Sequence, residues 1–340
     1  MKPLAIHTCG ESFGGELSPE ALAVVRATDN PEAPPAYQTN IRAAREGHAL
    51  AAYDLDVPLE GMHIQERFIP TNGKELRVRI YTPAAPGPLP VLVFAHGGCW
   101  TFCSLDSHDP LCRFYAQAAG CLVVSVDYAL APESPYPQGL DDFHAAVLWC
   151  FDHACEIGGD PARIAVAGDS AGGNLCAAAA RRMAADPKRK LRLQLLIYPI
   201  CDATALSGGS MDRYAKGYFF TREILAWTAS LYCKNDDPAN PEISPLLGDV
   251  PETLAPACFL IAECDILKDQ GLAYAEKLHS AGVPVEVLVY RGVPHAFLAM
   301  AGGLESGLAA LKDSAERLRL ALHSTFEMEL GFRLFLDRSI

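Results

Sequence analysis

Short, unbroken apolar runs recur along the chain from about residue 60 onward, each bounded by Gly, Pro or Asp. Runs this short that do not alternate with polar residues are typical of strands buried on both faces of a parallel sheet. Stretches with a helical pattern lie between them. The predicted strands are 91–95, 122–126, 164–167, 193–197, 258–261 and 285–290, and the predicted helices are 107–119, 138–156, 171–186, 269–281 and 303–322.

This alternation of strand and helix predicts a doubly wound α/β fold. Segments 67–69 and 76–81 precede it and predict an antiparallel pair joined at Asn72-Gly73, a strong hairpin-turn dipeptide. Nearer the N-terminus, Ser18-Pro19-Glu20 predicts the start of a helix, because Ser is a preferred cap and Pro is favoured in the first helical turn. A second helix is expected near 39–50, after a Pro-rich break.

One segment, about 205–240, interrupts this alternation. It carries the aromatic run Tyr218-Phe219-Phe220, followed by Trp227 and Tyr232. Two interpretations stay open. The segment packs with the N-terminal helices as a lid whose rings form a substrate wall, or the rings only pack helices together.

Composition and charge exclude some classes of partner. The 340 residues carry a formal net charge of −13, whereas nucleic-acid binding needs clustered Lys and Arg to displace counterions. No apolar run approaches the ~18 residues of a membrane-spanning helix, and the N-terminal segment MKPLAIHTCGESFGG lacks the apolar region of a signal peptide. We therefore expect a cytoplasmic protein with no nucleic-acid partner and no membrane span.

The twelve cysteines form no C-x-x-C pair and have no His at zinc-ligand spacing. Most lie inside apolar segments such as 120–124. In a cytoplasmic protein such thiols stay reduced and act as small core hydrophobes. We expect no metal site and no cofactor.

Gly168-Asp169-Ser170-Ala171-Gly172 is a G-x-S-x-G pentapeptide between a predicted strand and a predicted helix. This is the context of a nucleophile elbow, a tight turn that exposes a serine hydroxyl at the carboxyl edge of a sheet. Glycines two positions before and two after the serine remove side chains that would clash in such a turn. Ser170 is therefore the candidate nucleophile.

A serine hydroxyl near neutral pH needs a base, and the base needs a carboxylate to orient it. When the serine lies on a nucleophile elbow, the acid and then the His follow later in the chain, after late strands. Asp265 and His295 have these positions. Glu263 and Asp269 are rival acids, but Glu263 still lies at the strand end and Asp269 is placed like a cap of the next helix. The predicted catalytic triad is Ser170, His295 and Asp265.

The segment His96-Gly97-Gly98-Cys99-Trp100 follows the first predicted buried strand. Acyl transfer builds negative charge on the carbonyl oxygen, so the site needs unobstructed backbone N–H donors, worth about 3 kcal/mol each. Gly97 and Gly98 offer two donors to this oxyanion hole, and Ala171, directly after the nucleophile, offers a third. We expect His96 to anchor the loop rather than to act as a second base.

Four sequence blocks and the late His occur in a fixed order. The blocks are His96-Gly97-Gly98, Asp127 to Glu133, Gly168 to Gly173 and Asp265 to Asp269. Together they resemble the hormone-sensitive-lipase-like carboxylesterases (bacterial family IV, Gly-Asp-Ser-Ala-Gly branch) of the α/β-hydrolase superfamily, over about residues 60–322. The resemblance implies a mostly parallel, eight-stranded twisted sheet flanked by helices, with a helical cap. It also implies hydrolysis of short- to medium-chain acyl esters by the residues named above, without a cofactor.

The resemblance also suggests how the chain is divided. We expect N-terminal cap helices in 1–55, a catalytic core in 56–204 and 241–322, a cap insertion in 205–240 and a C-terminal tail of unassigned role in 323–340. A weak homodimer through the last strand and helix is a further expectation. The residues expected at the substrate pocket are Trp100, Tyr128, Asp169 and Phe219.

The chain departs from the family's usual pattern at three positions. Cys99 replaces a third glycine, Ala129 replaces an arginine and Ala296 replaces a glycine. Cys99 narrows the space beside the oxyanion loop, and loss of the arginine leaves open which residue pairs with Glu133. None of the three changes removes a catalytic atom.

Other functions are compatible with the same residues. Arylamide or carbamate hydrolysis and sugar deacetylation differ from esterolysis only in pocket shape, and a non-catalytic small-molecule receptor of the same fold is an alternative of another class. Retention of all three triad residues argues against the receptor. The leading expectation is a serine carboxylesterase that acts on a small ester and water, with activity that rises between roughly pH 6 and 7 as an ordinary imidazole loses its proton.

Overall fold

The structure is a computed structural model that describes residues 3–28, 34–49, 55, 61–71 and 73–324. Within these residues, nine strands form a single sheet. They are β1 (Ile6–Cys9), β2 (Met62–Thr71), β3 (Lys74–Pro83), β4 (Leu89–Ala95), β5 (Leu122–Val126), β6 (Gly159–Asp169), β7 (Gln194–Ile197), β8 (Ala257–Cys264) and β9 (Val285–Pro294). Their order across the sheet is β1-β9-β8-β7-β6-β4-β5-β3-β2.

Helices cover both faces of this sheet. In the described part of the chain they are α1 (Pro19–Thr28), α2 (Ile41–Ala49), α3 (Asp109–Ala119), α4 (Gln138–His153), α5 (Ala171–Met183), α6 (Gly209–Arg213), α7 (Arg222–Cys233), α8 (Lys268–Ser280) and α9 (Glu305–His323), with short 3-10 helices at Ala36–Gln38, Ala154–Ile157, Pro245–Leu247 and Phe297–Met300. α3 and α9 pack on one face, and α4, α5 and α8 pack on the other, so each face has its own apolar core.

The strands predicted from apolar runs are all present. Neighbouring strands from β5 through β4, β6, β7 and β8 to β9 pair in parallel, because their fully buried residues can be covered only by helices on both faces. β2 and β3 form the predicted antiparallel pair, from Met62 opposite Pro83 to Thr71 opposite Lys74. Within the predicted turn, Asn72 lies outside the described residues.

The predicted strand count of eight is wrong, because β1 adds a ninth strand at the sheet edge. Ile6 to Cys9 pair in parallel with Val287 to Tyr290 of β9. A strand of four residues with alternating exposure resembles a loop in sequence, and its partner lies near the other end of the chain. The expectation that 1–55 contributes only cap helices is corrected in the same way, since β1 belongs to the sheet of the core.

The two N-terminal helices lie where the sequence predicted them. α1 begins at Pro19, and the backbone N–H of Ala21 donates to Ser18 Oγ at 3.1 Å, as expected of a cap.

The predicted helix 138–156 ends earlier, at His153, and continues as a 3-10 turn. The predicted tail lies outside the described residues from 325 onward.

The N-terminal segment and the insertion between β7 and β8 are in contact. The 3-10 helix Ala36–Gln38 packs near α7. The hydroxyl of Tyr214 donates to Gly15 O at 3.1 Å, and Arg213 donates to the same carbonyl. The two segments therefore pack together, and their action as a lid stays a prediction.

The cysteines behave as the sequence predicted. All twelve lie in the described part of the chain as free thiols, and most of them are buried. Among the helices that the structure describes, none combines the length and the apolar character that crossing a bilayer requires.

Candidate active site

Ser170 lies in the sharp turn between β6 and α5. Its backbone has φ 55° and ψ −117°, a conformation that costs about 1–3 kcal/mol for a residue with a side chain and is common at functional sites. Its N–H donates to Ile197 O at 2.8 Å. A Cβ on Gly172 would overlap the Ala95 carbonyl, and one on Gly168 would overlap the backbone of Gly172, so both glycines of the motif are sterically required.

The three predicted triad residues converge at the carboxyl edge of the sheet. His295 Nε2 lies 3.0 Å from Ser170 Oγ, and His295 Nδ1 lies 2.7 Å from Asp265 Oδ2. Because a carboxylate only accepts, Nδ1 carries the proton and Nε2 accepts from the serine hydroxyl. The other oxygen of Asp265 accepts from the N–H of Leu267 at 2.9 Å, which fixes the carboxylate. The geometry is that of a nucleophile, a base and an orienting acid.

The two alternative acids, Glu263 and Asp269, have hydrogen-bond partners other than His295. Glu263 instead accepts from the N–H of Gly292 at 2.9 Å. Asp269 accepts from the N–H of Ser210 at 2.7 Å and donates its own N–H to Ser210 Oγ, so it links α8 to α6. Both rivals therefore have structural hydrogen bonds of their own.

Two aromatic rings hold the His295 imidazole. Phe220 stacks on it with ring centroids 4.5 Å apart and an interplanar angle of 28°, and Tyr198 meets it edge-on at 4.8 Å. The sequence singled out the aromatic run that contains Phe220, but it did not indicate which ring faces the histidine. Phe219, which was predicted at the pocket, is 41% exposed.

The oxyanion loop differs from the expectation at Gly97. The N–H of Gly97 donates to Asp169 Oδ1 at 2.9 Å, so this donor is already in use. Among the described residues, none accepts a hydrogen bond from the backbone N–H of Gly98, Cys99 or Ala171. These three N–H groups are therefore unoccupied where that of Gly97 is not, and Ala171, directly after Ser170, is also the first residue of α5, at the positive end of the helix dipole.

A buried polar cluster lies behind this loop. Asp169 Oδ1 is 3.1 Å from His108 Nε2 as well as from the Gly97 N–H just described. Burial alone would raise the pKa of Asp169, but the charge and hydrogen bond of His108, with smaller effects of His96 and the Gly97 N–H, lower it below its ordinary value. Asp169 is therefore an ionised structural group at neutral pH. The sequence did not single out His108.

His96 supports the loop as a neutral side chain. Burial, together with repulsion from His108, lowers the pKa of His96 to about 3. Its ring stacks on Tyr128 at 4.4 Å, and the Tyr128 hydroxyl donates to His96 O at 2.7 Å. These contacts join His96 to Tyr128, and the anchoring role of His96 stays a prediction.

The residues expected at the substrate pocket, Trp100, Tyr128 and Asp169, are buried and have structural contacts. Trp100 is 1% exposed and stacks on Tyr232 of α7 at 4.5 Å, and its indole N–H donates to Asn174 Oδ1 at 3.2 Å. Proximity to a motif in sequence does not show which side of the loop a side chain occupies. That these three residues line the substrate pocket stays a prediction.

The three departures from the family's pattern are accommodated locally. Cys99 has φ 53° and Ala296 has φ 61°, both in the left-handed region that favours glycine. Burial raises the pKa of the Cys99 thiol to about 12, although its hydrogen bond with Thr228 of α7 acts in the opposite direction. Glu133 pairs with Arg45 of α2 at 2.7 Å, which answers the question left by Ala129.

The described ranges contain no group of three or more His, Cys, Asp or Glu side chains that could hold a metal ion. Together the fold and the site define the class of protein as a serine hydrolase built on an α/β sheet.

Comparisons with known proteins identify the family. The sequence profile of the α/β-hydrolase fold family matches residues 92–299. An ethyl acetate hydrolase of Pseudomonas putida is 40% identical over 287 residues, 82% of this chain and 88% of that protein. The carboxylic ester hydrolase LipN of Mycobacterium tuberculosis is 40% identical over 250 residues, 70% of this chain and 66% of that protein.

A solved structure is also similar. The crystal structure of a thermostable esterase from Pseudomonas putida superposes with a TM-score of 0.86 at 32% identity, covering 92% of this chain and 100% of that one. The chain belongs to the α/β-hydrolase fold family, in its hormone-sensitive-lipase-like group, and the resemblance seen in the sequence is confirmed.

Proposed function

We propose that the chain hydrolyses short- to medium-chain carboxylic esters, with Ser170 as nucleophile, His295 as base and acid, and Asp265 as the orienting carboxylate. The chain is a serine esterase of the α/β-hydrolase fold, and the proposal adds the residue roles and the acyl range. The observation that carries it is the hydrogen-bonded series Ser170–His295–Asp265, with distances of 3.0 and 2.7 Å.

Acylation begins when Ser170 Oγ attacks the ester carbonyl carbon and its proton moves to His295 Nε2. The carbonyl oxygen becomes an oxyanion, which the N–H groups of Gly98, Cys99 and Ala171 are free to bind. The bond to the alcohol oxygen then breaks, and the alcohol leaves with the proton from Nε2. Asp265 stabilises the imidazolium while it exists.

Deacylation repeats these steps with water. His295 takes a proton from a water molecule, whose oxygen attacks the acyl carbon. The bond to Ser170 Oγ breaks, the proton returns to the serine, and the carboxylic acid is released. Each residue ends in its starting protonation state, so the cycle needs no cofactor.

The preference for short acyl chains has two supports. The triad side chains lie below the cap, with Ser170 and His295 only 4% exposed, which favours a small substrate that can enter fully. One relative at 40% identity is named an ethyl acetate hydrolase. Arylamide hydrolysis, carbamate hydrolysis and sugar deacetylation remain alternatives on the same residues.

A series of p-nitrophenyl esters from two to sixteen acyl carbons tests the proposal. We expect the highest kcat/KM below about eight carbons, falling steeply for longer chains as the pocket rejects them. p-Nitroacetanilide and a p-nitrophenyl carbamate, measured beside the series, should react far more slowly. Faster turnover of the amide or the carbamate would replace the esterase proposal with that activity.

A cytoplasmic location and a homodimer belong to the same proposal. Because β1 pairs with the outer side of β9, the dimer contact is expected to involve β1 and α9 rather than β9 itself. Light scattering after size exclusion measures the oligomeric state, and a single monomer peak at all concentrations would contradict the dimer.

A further inference from the structure

Arg45, on α2, joins two segments of the catalytic core. Its Nε donates to Thr101 O at 2.9 Å, and its Nη2 donates to Ala131 O at 2.9 Å. Its two Nη groups also bind both carboxylate oxygens of Glu133, at 2.9 and 2.7 Å. The planar guanidinium presents its donors in a fixed fork, so these contacts define the position of both segments relative to α2.

Of the two carbonyls that Arg45 binds, Thr101 O belongs to the turn that carries the N–H groups of Gly98 and Cys99, and Ala131 O belongs to a segment hydrogen-bonded to that turn. The N–H of Thr101 closes this turn by donating to Gly98 O at 2.9 Å, and the N–H of Ala131 donates to Trp100 O at 2.9 Å. Arg45 therefore binds the carbonyl groups of Thr101 and Ala131, the two residues whose N–H groups donate to this turn. It fixes the C-terminal side of the turn.

This turn needs support because its backbone is strained. Cys99 has φ 53° and Trp100 has φ 56°, and residues with side chains keep such conformations only where the surrounding structure holds them. From inside the core, Trp100 is held by Asn174 and Tyr232. From outside, the turn is held by Arg45.

We propose that Arg45 is a positioning residue for the oxyanion hole. α2, which precedes the catalytic core in sequence, keeps the N–H groups of Gly98 and Cys99 directed at the oxyanion of the reacting ester. This inference rests on the proposed function. The side chains of Arg45 and Glu133 are 30% and 57% exposed, and an ion pair this exposed contributes little. The positioning is therefore assigned to the two carbonyl contacts.

The same helix supplies a matched control. Arg42 is 88% exposed and bonds Glu46 within α2.

Arg45→Met should lower kcat for p-nitrophenyl butyrate by about 10- to 100-fold, as expected when a catalytic group shifts by a fraction of an ångström to 1 Å. KM should change by less than about three-fold, because the lost interaction is made mainly in the transition state.

Two further variants separate the carbonyl contacts from the ion pair. Arg42→Met should stay within about two-fold of the wild type, since it removes a surface charge of the same kind. Glu133→Gln leaves both carbonyl contacts in place and should stay within about three-fold. A Glu133→Gln variant as impaired as Arg45→Met would overturn the assignment to the carbonyl contacts.

Binding of a trifluoromethyl ketone gives a second readout. In its adduct, Ser170 Oγ bonds the carbonyl carbon, the serine proton passes to His295, and the carbonyl oxygen becomes an oxyanion. Arg45→Met should weaken this inhibitor by about the same factor as it lowers kcat, whereas Arg42→Met should not. Titration of Ser170 with a fluorophosphonate counts competent sites, so kcat is expressed per competent site and is independent of any misfolded fraction.

The outcomes separate this inference from the proposed function. If the wild type hydrolyses esters and Arg45→Met matches Arg42→Met in kcat per titrated site, the positioning role is refuted and the esterase proposal stands. If the wild type hydrolyses no ester, both fail. If Arg45→Met yields no folded protein, Arg45→Lys provides the test of the positioning role. The lysine ammonium reaches one of the two carbonyls but cannot bind Thr101 O and Ala131 O together as the guanidinium does. Arg45→Lys should lose part of kcat, and unchanged activity would overturn the inference.

Discussion

Asp169 Oδ1 accepts a hydrogen bond from the backbone N–H of Gly97, with 2.9 Å between the two atoms. The residue before the nucleophile therefore holds the first glycine of the oxyanion loop. A hydrogen bond to a charged acceptor is stronger than one between neutral groups, so this N–H is not available to an ester oxygen. It instead fixes the start of the loop relative to Ser170.

Removing the Asp169 carboxylate should impair both catalysis and stability. Asp169→Ala removes the carboxylate from the buried Gly97 N–H, which keeps only a 3.3 Å contact with His108 Nε2, and this should lower the free energy of unfolding by about 1–3 kcal/mol. The released loop should reduce kcat by about ten-fold or more. Asp169→Asn keeps an amide oxygen as acceptor and should lose less of both. Ester kinetics and urea unfolding measure the two effects, and an alanine variant as active and stable as the wild type would contradict this role.

His96 should make the stability of the protein depend on pH. Its pKa in the folded protein is lowered to about 3, whereas an imidazole in the unfolded chain has a pKa near 6.5. Between these values the unfolded chain binds more protons, so stability is complete above about pH 6.5 and falls as the pH decreases, by about 2 kcal/mol at pH 5. Urea unfolding of the wild type and of His96→Asn at pH 5, 6 and 7 should show a flatter dependence for the variant. Parallel curves would be inconsistent with a buried neutral His96.

Phe220 should contribute to turnover by holding the His295 ring. Aromatic contacts of this kind are worth about 0.5–1.5 kcal/mol, so Phe220→Ala should lower kcat by up to about ten-fold. Phe219→Ala leaves this stacking in place and is the matched comparison, so it should lower kcat less than Phe220→Ala, and a pocket contact of Phe219 should appear in KM instead. Equal effects of the two substitutions would show that the stacking on His295 has no kinetic role.

Thiol reagents should not inactivate the enzyme through Cys99. The thiol is buried and its pKa is raised to about 12, so little reactive thiolate exists near neutral pH. Cys155 is exposed and should be alkylated first by iodoacetamide. Peptide mass mapping beside an esterase assay should show Cys155 modified while activity persists. Loss of activity in step with alkylation of Cys99 would contradict this account.

The interior strands were predictable because a strand buried on both faces has a continuous run of apolar residues in the sequence. Runs such as 91–95 and 122–126 became parallel strands, since only helices can cover such residues on both sides. β1 was not predictable, because its four residues carry no strong pattern and its partner, β9, is distant in sequence. The nucleophile turn was predictable because its glycines are sterically required.

Side-chain direction limited what could be predicted of the site. Sequence order predicted Asp265 and His295, and the structure places His295 2.7 Å from Asp265 Oδ2 and 3.0 Å from Ser170 Oγ. It did not show that Asp169 already uses the Gly97 N–H, nor that Arg45 reaches Glu133 from a helix far away in the chain. Such contacts depend on how separate elements pack, which local patterns do not encode.

The central claim is that ester hydrolysis proceeds through Ser170, and the most direct measurement compares the turnover of p-nitrophenyl butyrate by the wild type and by Ser170→Ala. The account predicts that the variant keeps the wild-type circular dichroism spectrum and loses at least about 1,000-fold in kcat, because the nucleophile is gone while the fold remains. A folded Ser170→Ala variant with turnover close to that of the wild type would contradict the mechanism.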